Sequence, residues 1–202
     1  LHLHIQQRRS ARENEADGLF PESLVWEWTA QILCALQHIH SKNTLHRDIK
    51  PLNIFTTGPD ARVIKVGDFG VAQLIDSDRN RSHSQGQSSS NENAPALVGT
   101  PYYLAPEIVK GRPATTAADV WAVGCVVTEL CCGKRAFEGS TIPQLLMNIV
   151  GTAAAAGGGD RGIGGHSGPS QSRPIPGCYS PGLVDTVGRL LARDVESRVR
   201  VE

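Results

Sequence analysis

Residues 44–55 read TLHRDIKPLNIF, and residues 67–70 read GDFG. The apolar run at 63–66 that lies between them predicts a strand leading into the second segment. The first segment carries an Asp, a Lys and an Asn in close succession, and the second carries another Asp directly behind the strand. Carboxylate and amide oxygens are ligands that Mg²⁺ prefers, and a lysine provides a point charge for a phosphate. The two segments therefore hold residue types that a site for a phosphate chain and its metal ion would need.

The chemistry that fits these side chains is phosphoryl transfer. Such a transfer needs an attacking hydroxyl aimed in line and a neutralised phosphate charge. Asp48 is the candidate base beside the hydroxyl, and Lys50 can reach the γ-phosphate. Asn53 and Asp68 are the candidate metal ligands. Ordinary turn residues are the alternative, and they would suffice for a lone Asp-Phe-Gly, since Asp, Asn and Gly are common in turns.

Two further motifs weaken that alternative. GTPYYLAPE occupies residues 99–107, and DVWAVG occupies residues 119–124. In this order, the four motifs resemble those of the protein kinases over nearly the whole chain. A lysine two positions after the candidate base, here Lys50 after Asp48, resembles the serine/threonine kinases rather than the tyrosine kinases. The segments that most resemble sequences of the NIMA-related group are IHSKN at 39–43, NIF at 53–55 and GTPYY at 99–103.

The resemblance implies a protein serine/threonine kinase, which transfers the γ-phosphate of ATP to Ser or Thr hydroxyls of protein substrates with Mg²⁺ as its metal. The residues to which it gives catalytic roles are Asp48, Lys50, Asn53, Asp68 and Thr100. The residues it places at the nucleotide are Lys50, Asn53, Phe55 and Asp68, and its metal ligands are Asn53 and Asp68. Thr100 resembles the threonine that helps orient the catalytic Asp. For Phe55, simple core packing is an equally good interpretation.

The resemblance also defines an activation segment from Asp68 to Glu107. Its residues 77–96 form an insertion rich in Ser, Asn, Gln and Gly, so we expect them to be disordered. Ala96 stands where the family often carries a phosphorylatable residue, although Arg47 is in the arrangement that usually pairs with such a phosphate. Either activation needs no phosphate, or a serine elsewhere in the segment is phosphorylated instead. The serines available, for which linker composition is the alternative, are Ser82, Ser84, Ser88, Ser89 and Ser90.

Two supporting acidic residues are implied in the same way. Glu107 resembles the glutamate that pairs with a buried arginine, and the matching arginine is Arg198. The family's usual motif around this arginine is Asp-Pro-x-x-Arg-Pro, and residues 194–199 of this chain lack both of its prolines. Asp119 resembles the acid that accepts backbone N–H groups from the catalytic loop. Capping would also explain an acid in the first turn of a helix.

The apolar pattern predicts a mainly α fold with a few short β-strands. The expected helices lie within residues 1–20, at 24–41, at 116–132 with Gly133 behind it, at 142–150, and after Ser180-Pro181 with Leu183, Val187, Leu190 and Leu191 inward. The expected strands are Leu45, Ile54-Phe55 and 63–66. Residues 151–172 are mostly Ala, Gly and Ser, which indicates a flexible insertion.

The fold class implied is a protein-kinase-like large lobe with the small lobe absent. The small lobe carries a Gly-rich loop, a strand lysine and a helix glutamate, and none of these precedes His46 here. We expect residues 1–202 to be an incomplete kinase domain, its C-terminal lobe only, inactive by itself. The alternative is a catalytically silent, kinase-like module that binds partners. A small-molecule kinase of similar fold is disfavoured by Ala105-Pro106-Glu107, which resembles a segment built for protein substrates.

Charge and cysteine content narrow the partners and the location. Twenty basic and twenty acidic residues cancel, which gives no argument for a nucleic-acid partner. The longest apolar run lies inside 120–132, contains Glu129 and is too short for a membrane span. His38 and His40 are two apart on a helix and face different ways, which argues against a metal site. The five cysteines are expected to be reduced residues of the core, namely Cys34, Cys125, Cys131, Cys132 and Cys178. The sequence therefore predicts a cytoplasmic protein, with nuclear or cytoskeletal association left open. It does not predict the oligomeric state.

Overall fold

The computed structural model describes residues 1–12, 18–70, 72–74, 101–151 and 172–201. The helices of this part are α1 (His2–Arg12), α2 (Glu22–His40), α3 (Pro106–Val109), α4 (Thr116–Cys132), α5 (Ile142–Val150) and α6 (Pro181–Leu190), with a 3₁₀ turn at Pro51–Asn53. Its strands are β1 (Thr44–Leu45), β2 (Ile54–Thr57), β3 (Val63–Val66) and β4 (Gln73–Leu74). The predicted fold of many helices and a few short strands is confirmed. The expected insertion 77–96, and 151–172 apart from its two end residues, lie outside the described residues.

Helix α4 forms the centre of the core because it is apolar on nearly every side. All of its residues from Asp119 to Cys132 are buried. Gly133 ends the helix in the left-handed conformation, with φ of 63°, and its N–H donates to the Glu129 carbonyl at 2.8 Å. A glycine adopts this backbone without a steric penalty. The predicted boundaries of this helix and its closing glycine are confirmed.

Helices α2 and α6 both pack against α4. On α2, Val25, Ile32 and Leu36 are fully buried at the helical spacing that the sequence predicts. Against α6, a Cβ added to Gly124 would lie 2.8 Å from a methyl carbon of Leu191. The glycine therefore allows the close approach of α4 to the end of α6.

Side-chain caps fix the starts of α5 and α6. The Thr141 hydroxyl accepts a hydrogen bond from the N–H of Gln144, and the Ser180 hydroxyl accepts one from the N–H of Leu183, each at 3.3 Å. Such caps satisfy backbone donors that have no partner within the helix. The predicted starts of both helices are confirmed.

The strands form two antiparallel pairs. Strand β2 pairs with β3 in the register that places Ile54 opposite Val66, and β1 pairs with β4. The predicted strands at 45, 54–55 and 63–66 are confirmed. Strand β4 and helix α3 were not predicted, because two and four residues are too few to show a period.

The expectation that all five cysteines belong to the core is wrong for two of them. Cys125, Cys131 and Cys132 are buried, whereas Cys34 and Cys178 are exposed free thiols. Cys34 lies two positions from both Ile32 and Leu36 on α2, so it faces away from their buried side. Burial raises the pKa of the Cys131 thiol to about 12. Among the described residues, no helix is long and apolar enough to span a membrane.

Candidate active site

The loop that carries His46, Arg47 and Asp48 is held by one buried carboxylate at the start of α4. The backbone N–H of His46 donates to Asp119 Oδ2 at 2.9 Å, and that of Arg47 donates to Oδ1 at 2.8 Å. Asp119 is 2% exposed. The role that the resemblance implies for Asp119 is therefore confirmed, and capping does not explain this acid, because both of its oxygens are used on the loop.

His40 is a supporting residue that the sequence analysis missed. Its Nε2 lies 2.8 Å from Asp119 Oδ2, and both side chains are buried. Because a carboxylate accepts this bond, we place a proton on Nε2. The signal in the sequence was the spacing of Ile32, Leu36 and His40, which puts all three on one face of α2.

The carboxylate of Asp48 is oriented by two donors on the same oxygen. Lys50 Nζ donates to Oδ2 at 2.6 Å, and Asn53 Nδ2 donates to it at 2.8 Å. Asn53 Nδ2 also donates to the backbone carbonyl of Asp48 at 2.8 Å, which ties the side chain to its own loop. Among the described residues, Asp48 Oδ1 has no hydrogen-bond partner, so this oxygen can meet an incoming hydroxyl. About a third of each of the Asp48 and Lys50 side chains is exposed, at 34% and 31%.

The β2–β3 hairpin brings Asn53 and Asp68 together. Asn53 directly precedes β2, and Asp68 follows β3 after one residue, Gly67. The N–H of Gly67 donates to the carbonyl of Asn53 at 3.0 Å, which extends the pairing of the strands to this end. Asp68 adopts a left-handed backbone with φ of 63°, a conformation that costs energy for most non-glycine residues but that Asp tolerates better than most.

The oxygens of these two side chains fit Mg²⁺. Both hydrogen bonds of the Asn53 amide use its nitrogen, which leaves the amide oxygen for a cation. The Asp68 side chain is exposed, and the one hydrogen bond that its Oδ1 accepts from the described residues is a long one of 3.4 Å from the N–H of Gly70. In the described part of the chain, no group of three or more His, Cys, Asp and Glu side chains could hold a metal by itself. Two ligands suffice for Mg²⁺ where substrate phosphates complete the shell.

His46 joins the two loops, which is a second role that the sequence analysis did not assign. Its ring is fully buried, with Nε2 at 3.1 Å from the carbonyl oxygen of Gly67. Its centroid lies 4.9 Å from that of the Phe69 ring. The motif around Asp48 and the motif around Asp68 are therefore in direct contact.

Phe55 is not a core residue, because 51% of its side chain is exposed. The core-packing interpretation is thus wrong. A Cβ added to Gly67 would lie 3.0 Å from the Phe55 ring, so the absence of a side chain at Gly67 lets the ring lie over the end of β3. Contact of Phe55 with a nucleotide stays a prediction. Thr100, Ala96 and the five candidate serines lie outside the described residues.

The implied ion pair between Glu107 and Arg198 is confirmed. Arg198 Nη1 and Nη2 donate to the two carboxylate oxygens of Glu107 at 2.6 and 2.9 Å, and both side chains are buried. Arg198 also donates to the carbonyls of Ala117 and Ala192, each at 2.8 Å. These bonds satisfy the guanidinium inside the core, so the pair forms without the two prolines that the family's usual motif carries.

Comparison with known families gives one match that spans the chain. The profile described as "Protein kinase domain" matches residues 4–202. This match and the geometry of the loops show that the chain belongs to the protein kinase family.

Individual relatives place it in the NIMA-related group, as the wording of its motifs predicts. The chain is 40% identical over 133 residues, 66% of its length, to serine/threonine-protein kinase Nek1 of Mus musculus. It is 34% identical over 183 residues, 91% of its length, to Nek4 of Mus musculus, and 41% identical over 131 residues, 65% of its length, to Nek5 of Homo sapiens. These matches cover 10%, 19% and 17% of the three relatives, so the chain corresponds to a small part of each.

Proposed function

We propose that this chain belongs to a protein serine/threonine kinase, which transfers the γ-phosphate of ATP to Ser or Thr hydroxyls of protein substrates. The observation that carries the proposal is the state of Asp48. One of its oxygens is held by Lys50 and Asn53, and the other has no partner among the described residues. The printed names of the relatives, all serine/threonine-protein kinases, support the same reaction.

In this reaction Asp48 orients the acceptor. Its Oδ1 receives the hydrogen bond of the substrate hydroxyl. It takes up the proton as the hydroxyl oxygen bonds to the γ-phosphorus and the bond from that phosphorus to the oxygen of the leaving ADP breaks. Asn53 keeps the carboxylate in place through its two bonds to Asp48. Lys50 lies against the base as a cation and can turn toward the phosphate that is transferred, since its side chain is only partly buried.

Asn53 and Asp68 would hold Mg²⁺, which supplies neutralisation of the phosphate charge when it is bound. The hairpin register fixes the two ligands at the same end of β2 and β3. Phe55 and Lys50 would contact the nucleotide. Thr100 would help to orient Asp48.

We further propose that the chain is the C-terminal lobe and that the 202 residues alone transfer no phosphate. Several large apolar side chains at the site or on its β2–β3 hairpin are about half exposed, namely Leu52, Phe55, Val63 and Phe69. Apolar patches of this kind usually meet another protein surface. Catalysis in this class rests on positioning and electrostatics, and one wall of an open cleft leaves each charge screened by water. We propose a cytoplasmic location for the protein, because the buried cysteines Cys125 and Cys131 are free thiols, which suits a reducing compartment.

The test joins the chain to the small lobe of a protein kinase and measures the transfer of labelled phosphate to a basic protein acceptor. Asp48→Ala should nearly abolish transfer and leave nucleotide binding largely intact, because the base contacts the acceptor. Asp68→Ala should abolish transfer and also weaken Mg²⁺-dependent nucleotide binding. Asp60→Ala, in an exposed turn, is the matched control. Transfer by Asp48→Ala near the unmodified rate would overturn the assignment and favour a silent interaction module.

A further inference from the structure

A cavity of about 510 Å³ lies away from the catalytic loop, where the loop after α4 meets the segment before α3. The residues that line it are Tyr102, Arg135, Glu138, Gly139 and Ser140. None of them takes part in the contacts of Asp48, Asn53 or Asp68. The cavity is open to solvent, so a side chain of another protein can reach it.

The wall of this cavity is a guanidinium stacked on an aromatic ring. The central carbon of Arg135 lies 3.4 Å from the centroid of the Tyr102 ring. The neighbouring residue Tyr103 holds the backbone at Tyr102 in place, because the Tyr103 hydroxyl donates a hydrogen bond to the buried Glu129 at 2.6 Å. Stacking occupies the flat face of a guanidinium and leaves its edge N–H groups free to donate.

The charge of Arg135 is not neutralised by an ion pair within the described residues. Glu129 accepts the Tyr103 hydroxyl and forms no ion pair with Arg135. Glu138, the acid that lines the cavity, pairs instead with Arg173, whose Nη2 lies 2.5 Å from Oε2. The Nε of Arg173 donates to the carbonyl of Arg135 at 3.0 Å, which also fixes the loop. Arg135 therefore presents a positive charge without an ion-pair partner among the described residues, together with its hydrogen-bonding edge, at the wall of the cavity.

We propose that this cavity binds an acidic side chain of the protein substrate, a carboxylate or a phosphate, through the guanidinium of Arg135. A guanidinium group binds either anion through a pair of parallel hydrogen bonds. These bonds are stronger than hydrogen bonds between neutral groups because both partners are charged. The inference rests on the proposed function only in calling the bound protein a substrate.

The length of helix α4 sets the scale of the separation between the catalytic loop and the cavity. Its Asp119 binds the catalytic loop at one end, and Arg135 follows its other end. From Asp119 to Cys132 the helix rises by roughly 20 Å at about 1.5 Å per residue. An extended peptide covers about 3.3 Å per residue, so the acidic residue should lie roughly six residues from the acceptor Ser or Thr.

The test measures the binding of fluorescent peptides to the full chain by anisotropy, without ATP or Mg²⁺. Each peptide has one central serine and a single acidic residue that is moved step by step along both flanks, as glutamate in one series and as phosphoserine in the other. Binding should be tightest for an acidic residue roughly six positions from the serine on one flank. Comparison of the two series identifies which anion the cavity prefers.

Arg135→Gln should weaken this binding roughly tenfold, the effect of losing one charge-assisted contact. Lys134→Gln is the matched control, because it removes the same charge from the neighbouring, exposed side chain. Tyr102→Phe should bind like the unmodified chain, since it keeps the stacking ring. Arg135→Lys, which keeps the charge and loses the planar stack, should show a smaller loss and serves if Arg135→Gln does not fold.

Three results would overturn the inference. They are equal affinity for acidic and neutral peptides, no loss of affinity in either Arg135 variant, and an equal loss in Lys134→Gln. Transfer by the joined protein that depends on Asp48 but ignores the acidic position would also reject the inference and leave the proposed function standing. Conversely, Arg135-dependent binding together with no phosphate transfer by the joined protein would leave the inference standing and reject the proposed function.

Discussion

Two of the buried carboxylates, Glu107 and Asp119, tie other segments to the helical core, and they do so with different partners. Glu107 is bound at both oxygens by Arg198, a side chain that is always charged. Asp119 accepts two backbone N–H groups and the ring of His40. The first acid depends on one charged partner, and the second divides its hydrogen bonds among three donors. We infer that the Glu107–Arg198 pair mainly stabilises the fold, whereas Asp119 mainly sets the geometry of the catalytic loop.

The largest expected effect is the loss of one member of the charged pair. Arg198→Met should lower the free energy of unfolding in urea by about 3–5 kcal/mol, because it leaves the Glu107 carboxylate buried without its cation. The double variant Glu107→Leu/Arg198→Met should lose less than the sum of the two single variants. Additive losses would show that the two residues act independently and would contradict the claim that Glu107 and Arg198 stabilise the fold as a pair.

A smaller loss of stability is expected at the second carboxylate. Asp119→Asn should lower the free energy of unfolding by about 1–3 kcal/mol, since its amide NH₂ faces a backbone N–H that needs an acceptor. Asp185→Asn, on the exposed side of α6, is the control and should change it by less than about 0.5 kcal/mol. A loss for Asp119→Asn as large as that for Arg198→Met would contradict the proposed division of roles.

The close approach of α4 to the end of α6 can be tested at Gly124. Gly124→Ala should destabilise the chain by about 1–3 kcal/mol, because the new methyl group would lie 2.8 Å from Leu191. Gly188→Ala on α6 meets nothing within 4 Å and should stabilise the helix by about 0.5–1 kcal/mol. Equal effects of the two substitutions on urea unfolding would show that the close approach of α4 and α6 is not tight.

The smallest effect is expected for His40, which is one of three donors to Asp119. His40→Leu should lower the free energy of unfolding by about 1 kcal/mol, since both backbone N–H donors remain. The exposed His38 on the same helix provides the control, and His38→Leu should be close to neutral. If the two variants lose stability equally, the buried contact of His40 contributes nothing.

The sequence predicted those features that repeat along the chain or belong to a family motif. The helix over 116–132 and the helix over 142–150 were located to the residue, because apolar side chains recur through them and a glycine follows each. The two loops of the candidate site came from motif order. The pairing of Glu107 with Arg198 came only from the resemblance, since no local pattern joins residues so far apart.

What the sequence did not predict depends on contacts between distant segments. His40 and Asp119 are 79 positions apart, and the stack of Arg135 on Tyr102 joins two loops. No periodicity marks such a pair. The exposure of Phe55 was also undecided, because a single aromatic residue in a short strand fits a core and a binding surface equally well.

The most direct test of the division between the two carboxylates is the turnover number of the chain joined to a small lobe, measured below the unfolding temperature of every variant. Asp119→Asn should lower kcat more than about tenfold, because a displaced loop misplaces Asp48. Glu107→Leu/Arg198→Met should keep kcat within about threefold of the unmodified protein, since a folded protein of lower stability retains its loop geometry. Unchanged turnover in Asp119→Asn, or a larger loss in the double variant, would contradict this account.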